Sequence, residues 1–289
     1  MNQYNLGGHS GCKIYLIEKD DGSVFVRKIS KDLSYNQRMK TQCDKQKNYK
    51  SQDIKAPKVF HTGYTKDDLF YFDMEYVQGV TLAEYIKTME IGKVRGLVET
   101  LIKNIIPKKN EIGIDSKSQD INNIFEKKFV DLRDKLSSHN NPIIDESLDL
   151  LAKHDWSAMI PSMCHGDMTL ENIIVKDDKL YFIDFLDSFY DSWLLDIGTL
   201  LQDVQVMWSY RFNDKVSMNT VLRLIVFRDV LLDVIKNVDT HYVKEAYYAL
   251  LQKLIRIYPY TKDKHTYQFL NEKTKIILET ISNLEKEVD

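Results

Sequence analysis

The sequence predicts an α+β protein: a β-rich N-terminal part with one main helix, then a larger, mainly α-helical part that carries short hairpins. Three observations lead there. Before residue 77, strand-length apolar runs alternate with turns containing Gly and Asp. From Thr81 onward, apolar residues recur at helical spacing. Inside that helical part, Ile173-Ile174-Val175 and Leu180-Tyr181-Phe182-Ile183 flank Lys176-Asp177-Asp178-Lys179, a hairpin-turn composition.

In the first part, Gly7-Gly8-His9-Ser10-Gly11 leads into a strand over residues 13–17, and Asp20-Asp21-Gly22 forms a turn before a strand over 23–29. Missing Cβ atoms in a Gly-rich loop let backbone N–H groups approach an anion, so Gly8, Ser10 and Gly11 are candidate phosphate contacts. Arg27 and Lys28 end the second strand and point to opposite faces, Arg27 with Phe25 and Lys28 with Val26. Residues 35–50 are polar, basic and helix-compatible, and Lys40, Lys45, Lys47 and Lys50 read as a solvated face. Ala56-Pro57 closes that region. A turn at His61-Thr62-Gly63 then precedes a strand over 69–77 that runs into Gln78-Gly79.

In the second part, Thr81 with Glu84 three residues later has the form of a capping box. Helices are expected over about 93–106, 119–138 and 145–153, with Pro107 and Pro142 as breaks. After Asp196 amphipathic helices continue to about residue 285, interrupted near Tyr258-Pro259-Tyr260.

Composition bounds the function. With 289 residues, 43% of them hydrophobic and 29% charged, the chain can bury a sizeable core in one large domain or two lobes. A net charge of −3 gives no reason to expect a nucleic-acid partner. The most apolar long segment, 221–238, carries Arg223, Arg228, Asp229, Asp233 and Lys236, which suits an amphipathic helix and not a membrane span. Cys12, Cys43 and Cys164 lack metal-ligand spacing, and Cys164 beside His165 reads as a small buried thiol. No signal peptide is visible, and a reducing cytoplasm is the expected location.

The chemistry concentrates in His165-Gly166-Asp167-Met168-Thr169-Leu170-Glu171-Asn172 and Ile183-Asp184-Phe185. An acid, an amide five residues later and a second acid twelve residues beyond form the base and metal-ligand set of a phosphoryl-transfer site. The hairpin would hold Asn172 and Asp184 at adjacent positions, where both can ligate Mg²⁺, leaving Asp167 as the catalytic base that orients a hydroxyl.

On these residues, followed by Asp196-Ile197-Gly198, the chain resembles the protein-kinase-like small-molecule kinases, namely the aminoglycoside phosphotransferases and choline/ethanolamine kinases. Their core has the form H-G-D-x-x-x-x-N … I-D-F … D-I/L-G/A. The resemblance implies a bilobal protein-kinase-like fold, with a nucleotide-binding lobe over 1–77, a catalytic and substrate-binding lobe over 78–289, and ATP and Mg²⁺ between them. It implies a hinge at Met74-Glu75-Tyr76-Val77, where the carbonyl of Glu75 and the N–H of Val77 would meet adenine. It makes His165 and Asp196 structural braces of the catalytic loop. It also implies a strand cation on the phosphates, and two residues compete for that role. Aligning Val24-Phe25-Val26-Arg27 with the family pattern selects Arg27, whereas placing Val26 beneath adenine selects Lys28. A helix glutamate should pair with that cation, yet no Glu occurs between Glu18 and Glu75. Gln42, Asp44 and Gln46 are the available replacements.

Asp196 follows Asp184 by only twelve positions, too few for the peptide-docking segment of a protein kinase. The expected acceptor is therefore a small hydroxyl compound: an amino alcohol such as choline or ethanolamine, a sugar, or an aminoglycoside-like polyol. Asp187, Asp203 and Trp208, interleaved with Tyr190, Trp193 and Tyr210, offer carboxylates and rings for an ammonium group or a sugar, against a reading of the aromatics as core. The missing helix glutamate favours an alternative, a nucleotide-binding pseudokinase scaffold, which the intact Asp167, Asn172 and Asp184 oppose.

Overall fold

A computed structural model describes residues 2–7, 11–108 and 121–286. Contacts divide the chain into two compact units. The first comprises Met1–Tyr85, His165–Asp167 and Glu171–Ser188, and the second Ile86–Cys164, Met168–Leu170 and Phe189–Asp289. The structure is α+β as the sequence predicts, with antiparallel sheet in the N-terminal part and helices in the C-terminal part.

In the first unit, strands β1 (Asn2–Asn5), β2 (Lys13–Glu18), β3 (Val24–Ile29), β5 (Val59–Tyr64) and β6 (Phe70–Glu75) form one antiparallel sheet in the order β1-β2-β3-β6-β5. Helix α1 (Asn36–Asn48) buries Met39, Gln42, Cys43 and Gln46, one stripe at i, i+3, i+4 and i+7. Met39 and Cys43 pack with Cys12, Tyr35, Phe70 and Phe72, so the apolar half of the stripe holds the helix on the sheet. The other half is glutamine, and it faces the chemistry described below.

The expected turn at His61-Thr62-Gly63 is absent, because those residues lie inside β5. The chain reverses over 65–69 instead, where Thr65 Oγ1 accepts the Leu69 N–H at 3.2 Å. Gly63 stays in the strand because the Tyr71 ring lies across it; a Cβ there would stand 2.9 Å from the Tyr71 hydroxyl.

A second sheet contains β4 (Ile54–Lys55), β7 (Val80–Thr81), β8 (Ile173–Lys176) and β9 (Lys179–Phe182), in the order β4-β9-β8-β7. β8 and β9 form the expected hairpin. Asp177 and Asp178 both take positive φ, 49° and 56°, the left-handed pair that matches the twist of a two-residue hairpin. Helix α2 (Leu82–Tyr85) starts at the expected cap, where Thr81 Oγ1 accepts the Glu84 N–H at 3.2 Å.

The second unit is built from α3 (Ile91–Ile105), α4 (Ile121–Leu136), α5 (Pro142–Lys153), α6 (Trp193–Val204), α7 (Met218–Val238), α8 (His241–Ile255) and α9 (Lys264–Lys286). α5 begins at Pro142, earlier than expected. Proline needs no N–H partner at the first helical position, and Asn141 caps the end by accepting the Ile143 N–H at 3.0 Å. Tyr190, Trp193 and Tyr210 are core residues, 6%, 1% and 3% exposed. The Tyr190 hydroxyl donates to the Met159 carbonyl at 2.7 Å, and burial pushes its pKa up to about 12. Among the described residues no helix is long and apolar enough to cross a membrane.

Every residue of α6 is buried, and it packs on α8 through Gly198. A Cβ at Gly198 would lie 2.7 Å from the Ala249 carbonyl carbon, which accounts for the glycine of Asp196-Ile197-Gly198 by helix contact alone. Gly198→Ala should therefore destabilise the protein by about 1–3 kcal/mol through overpacking. A urea denaturation midpoint equal to wild type would contradict this close approach.

Candidate active site

Lys28, Gln42, His165, Asp167, Asn172 and Asp184 all lie in the first unit. The β8–β9 hairpin brings Asn172 and Asp184 together: the Ile183 N–H donates to the Asn172 carbonyl at 3.0 Å, one residue before Asp184. Asp184 has φ of 62°, a left-handed conformation that costs a non-glycine residue roughly 1–2 kcal/mol. Asn172 Nδ2 donates to the Asp167 carbonyl at 2.8 Å and to its Oδ2 at 3.1 Å, so the amide aims the acid's side chain.

His165 is buried and joins the same loop. Its Nε2 lies 2.7 Å from the Ile183 carbonyl, which can only accept, so Nε2 carries a proton. Nδ1 then accepts the Asp167 N–H at 3.3 Å, which fixes a neutral imidazole in one tautomer. The Leu186 N–H donates to the His165 carbonyl at 2.9 Å. Gly166, at φ of 91°, fits because Ser188 Oγ and the Leu186 carbonyl occupy the space a Cβ would take, at 2.6 and 2.8 Å.

The two strand cations separate cleanly. Lys28 is 2% exposed, and its Nζ meets the Asp184 carboxylate and the Gln42 Oε1, the latter at 3.4 Å. Burial pulls the ammonium pKa down, but the Asp184 charge and hydrogen bond outweigh it and hold the pKa above its usual value. Arg27 points to the other face. It grips Asp73, its cross-strand neighbour, with Nε and Nη2 at 2.7 and 2.8 Å, and stacks over Tyr71 at 4.3 Å. The hydrogen bond to Asp73 raises the Arg27 pKa further.

Of the three candidates to replace the helix glutamate, Gln42 occupies the place. Its Nε2 donates to the Tyr35 hydroxyl at 2.9 Å, which turns Oε1 toward Lys28. Gln46 donates to the Pro57 carbonyl at 2.8 Å, and Asp44 is exposed.

A cavity of about 320 Å³ opens beside this cluster. Val26, Phe72, Met74, Ile174 and Ile183 give it apolar walls, Glu75 to Val77 border it, and Lys28, Asn172 and Asp184 supply its polar groups. Gly7, at φ of 72°, also lines it, and its N–H donates to Asn5 Oδ1 at 2.8 Å. Gly11 takes φ of 75°. Gly8 and Ser10 lie outside the described residues.

The three expected substrate contacts, and the expected brace Asp196, have protein partners. Asp203, expected to face a substrate, is 0% exposed; its Oδ2 accepts the Leu170 N–H at 2.6 Å and its Oδ1 accepts the Ser209 N–H and Oγ at 2.8 and 2.7 Å. It is a buried cap with no surface to offer a ligand. Asp187 receives Arg38, with Nε 3.0 and 3.2 Å from its two oxygens. Trp208 carries the Arg211 guanidinium over its ring at 3.9 Å. Asp196 is 2% exposed and accepts from the Cys164 thiol at 3.3 Å.

Sequence reasoning missed Arg38. Lys45, expected to be solvated, donates to the Leu186 carbonyl at 2.9 Å. The signal was available in the helical spacing: residues 38, 42 and 45 fall on one face of α1.

The donor set suits a hard cation. A carboxylate and an amide oxygen are what Mg²⁺ takes from a protein when phosphates and water complete its shell. Among the described residues no group of three or more His, Cys, Asp and Glu side chains could hold a metal by itself.

Residues 119–219, which span the whole motif from His165 to Asp196, match the model of the phosphotransferase enzyme family. Protein LicA of Haemophilus influenzae is 31% identical over 68 residues, 22% of this chain; that stretch is 26% of LicA, so the match spans about a quarter of this curated relative. Among solved structures, a thermostable variant of the aminoglycoside phosphotransferase APH(4)-Ia, in ternary complex with AMP-PNP and hygromycin B, superposes with a TM-score of 0.63 at 13% identity, covering 96% of this chain and 93% of that one. A choline kinase from Cryptosporidium parvum Iowa II superposes with a TM-score of 0.62 at 11% identity, covering 99% and 90%. At these identities the likeness is one of fold. The fold is the one that these two structures share, and the segment bearing the motif matches the phosphotransferase enzyme family model.

The geometry at Gly166 sets a test. Gly166→Ala should cost about 1–3 kcal/mol, since it adds a Cβ to a strained φ in an occupied space. Adding Ser188→Ala should recover part of that loss. Equal urea midpoints for Gly166→Ala and wild type would contradict the tight loop.

Proposed function

We propose that the protein is an ATP-dependent phosphotransferase that moves the γ-phosphoryl group of ATP to a hydroxyl of a small molecule. The observation that carries this reading is the cluster of Lys28, Asp184, Asn172 and Asp167 beside an apolar-walled cavity. The cavity volume falls within the range of small-molecule sites. In this reading Val26 and Ile174 cover the adenine faces, and the carbonyl of Glu75 and the N–H of Val77 meet its edge. Gly7, on the cavity wall, and Gly11 are the backbone positions that would meet the phosphates.

Lys28 is the phosphate cation, and Arg27 braces the sheet through Asp73. Asn172 and Asp184 would hold Mg²⁺, which when bound would neutralise charge on the phosphates. Asp167 receives the acceptor hydroxyl and takes its proton as the new O–P bond forms. Asn172 holds the Asp167 carboxylate in place, and His165 holds its backbone. The protein's contribution is then positioning and electrostatics.

A small acceptor is supported by the short connection after Asp184, since α6 already begins at Trp193. An amino alcohol, a sugar or an aminoglycoside-like polyol fits this reading, and APH(4)-Ia with hygromycin B is one structural neighbour of that kind. The buried thiols of Cys12, Cys43 and Cys164 support a cytoplasmic location. One observation favours a second reading, a nucleotide-binding scaffold: the neutral Gln42 stands where an acid is expected.

Incubation with ATP, Mg²⁺ and a pooled metabolite extract, followed by mass spectrometry, should reveal a phosphorylated small hydroxyl compound. No acceptor-stimulated ADP release would favour the scaffold, and labelled protein in a lysate would favour a protein kinase. Asp167→Asn should lower turnover by about 10²–10⁴-fold with little change in nucleotide affinity. Near-normal turnover in that variant would remove Asp167 from the role of base.

A further inference from the structure

The buried charges around Lys28 balance in an unusual way. Among the described residues its ammonium meets one carboxylate, that of Asp184, and one neutral amide oxygen, that of Gln42. The Tyr35 hydroxyl, hydrogen-bonded to Gln42 Nε2, adds no charge. Glu75, the other acid on the cavity wall, lies three register positions farther along the sheet, and its carboxylate accepts the Lys58 N–H at 3.3 Å. Asp184 is therefore both the counter-ion of a buried lysine and, in the reading above, a metal ligand. It cannot serve a metal fully while it neutralises Lys28.

A divalent cation arriving alone at Asp184 would leave the Lys28 ammonium buried without its counter-charge, an arrangement that proteins tolerate poorly. A nucleotide phosphate removes the conflict by giving Lys28 a new anion. We propose that Gln42, by withholding a charge from Lys28, makes Lys28 guard Asp184, so that metal ion and nucleotide bind interdependently. Metal binding without nucleotide is suppressed, and each ligand raises the affinity for the other by the same factor. This rests on the assignment of Asp184 to metal and Lys28 to phosphate. A carboxylate at position 42 would keep Lys28 neutralised and release Asp184. Gln42→Glu fits the same space, because the Tyr35 hydroxyl can turn to donate to it.

The test uses Mn²⁺ as the metal probe, followed by electron paramagnetic resonance, and AMP-PNP as the nucleotide, followed by calorimetry. For the wild-type full chain, AMP-PNP should bind about 5–150-fold more tightly with Mn²⁺ than without it. Gln42→Glu should raise the Mn²⁺ affinity of the nucleotide-free protein about tenfold and shrink that coupling. Lys28→Met should move the two affinities in opposite directions, tightening Mn²⁺ and weakening AMP-PNP, whereas a purely structural lesion would weaken both. Equal AMP-PNP affinity with and without Mn²⁺ in the wild type would overturn the proposal whatever the variants do. Unchanged Mn²⁺ affinity in folded Gln42→Glu and Lys28→Met would overturn it as well. A wild-type chain that binds AMP-PNP under neither condition would overturn the functional reading itself, a result distinct from binding without coupling.

Discussion

A lysine ammonium buried in a sheet must be answered by an anion, and in this protein the answer to Lys28 is Asp184. Removing one partner of a buried pair costs on the order of 3–5 kcal/mol; with the Asp184 side chain 34% exposed, the lower end applies. The rest of the first unit is arranged around this pair. The β8–β9 hairpin delivers Asp184, in a strained left-handed conformation, next to Asn172. One face of helix α1 carries Arg38 on Asp187 and Lys45 on the Leu186 carbonyl, both in the following loop, and Gln42 on Lys28 of β3. Behind that face, Met39 and Cys43 fix the helix on the sheet. Apolar packing places the helix, and Arg38 and Lys45 then hold the loop.

Much of this was legible in the sequence, and the reasons differ from element to element. The hairpin could be read because two β-rich runs and an Asp-Asp turn fix its register, and register fixes which residues become neighbours. The competition between Arg27 and Lys28 could not be settled, because alternation guarantees opposite faces without naming the partner on each. Asp73 is the partner on the Arg27 face, and its position opposite Arg27 depends on a pairing between distant strands. Gln42 was readable in part: it interrupts an apolar stripe at residues 39, 42, 43 and 46, and a polar residue in such a stripe needs a buried partner. β1 left no trace, since all four of its residues are exposed and show no apolar alternation. Gly63 misled because a glycine that admits a neighbouring ring looks, in sequence, like a glycine that turns the chain.

The acceptor was the least legible part, and the structure gives a physical reason. Acids close to the motif in sequence are engaged by the protein itself: Asp187 by Arg38, Asp196 by Cys164, and Asp203 by three donors. The aromatic residues among them are largely core. A carboxylate that caps a buried backbone N–H has the same one-letter code as one that waits for a substrate, and burial separates the two. Asp167 differs in kind, because its partners, Asn172 and His165, orient it within the motif's own loop.

In the proposed function Lys28 is the residue that meets the phosphates of ATP. An acyl-phosphate derivative of ATP, which transfers its acyl group to a lysine beside the bound phosphates, tests it directly when followed by peptide mapping. Acylation of Lys28 that excess ATP suppresses is the predicted result. Lys28 left unlabelled, or labelled to the same extent with and without ATP, would contradict the account.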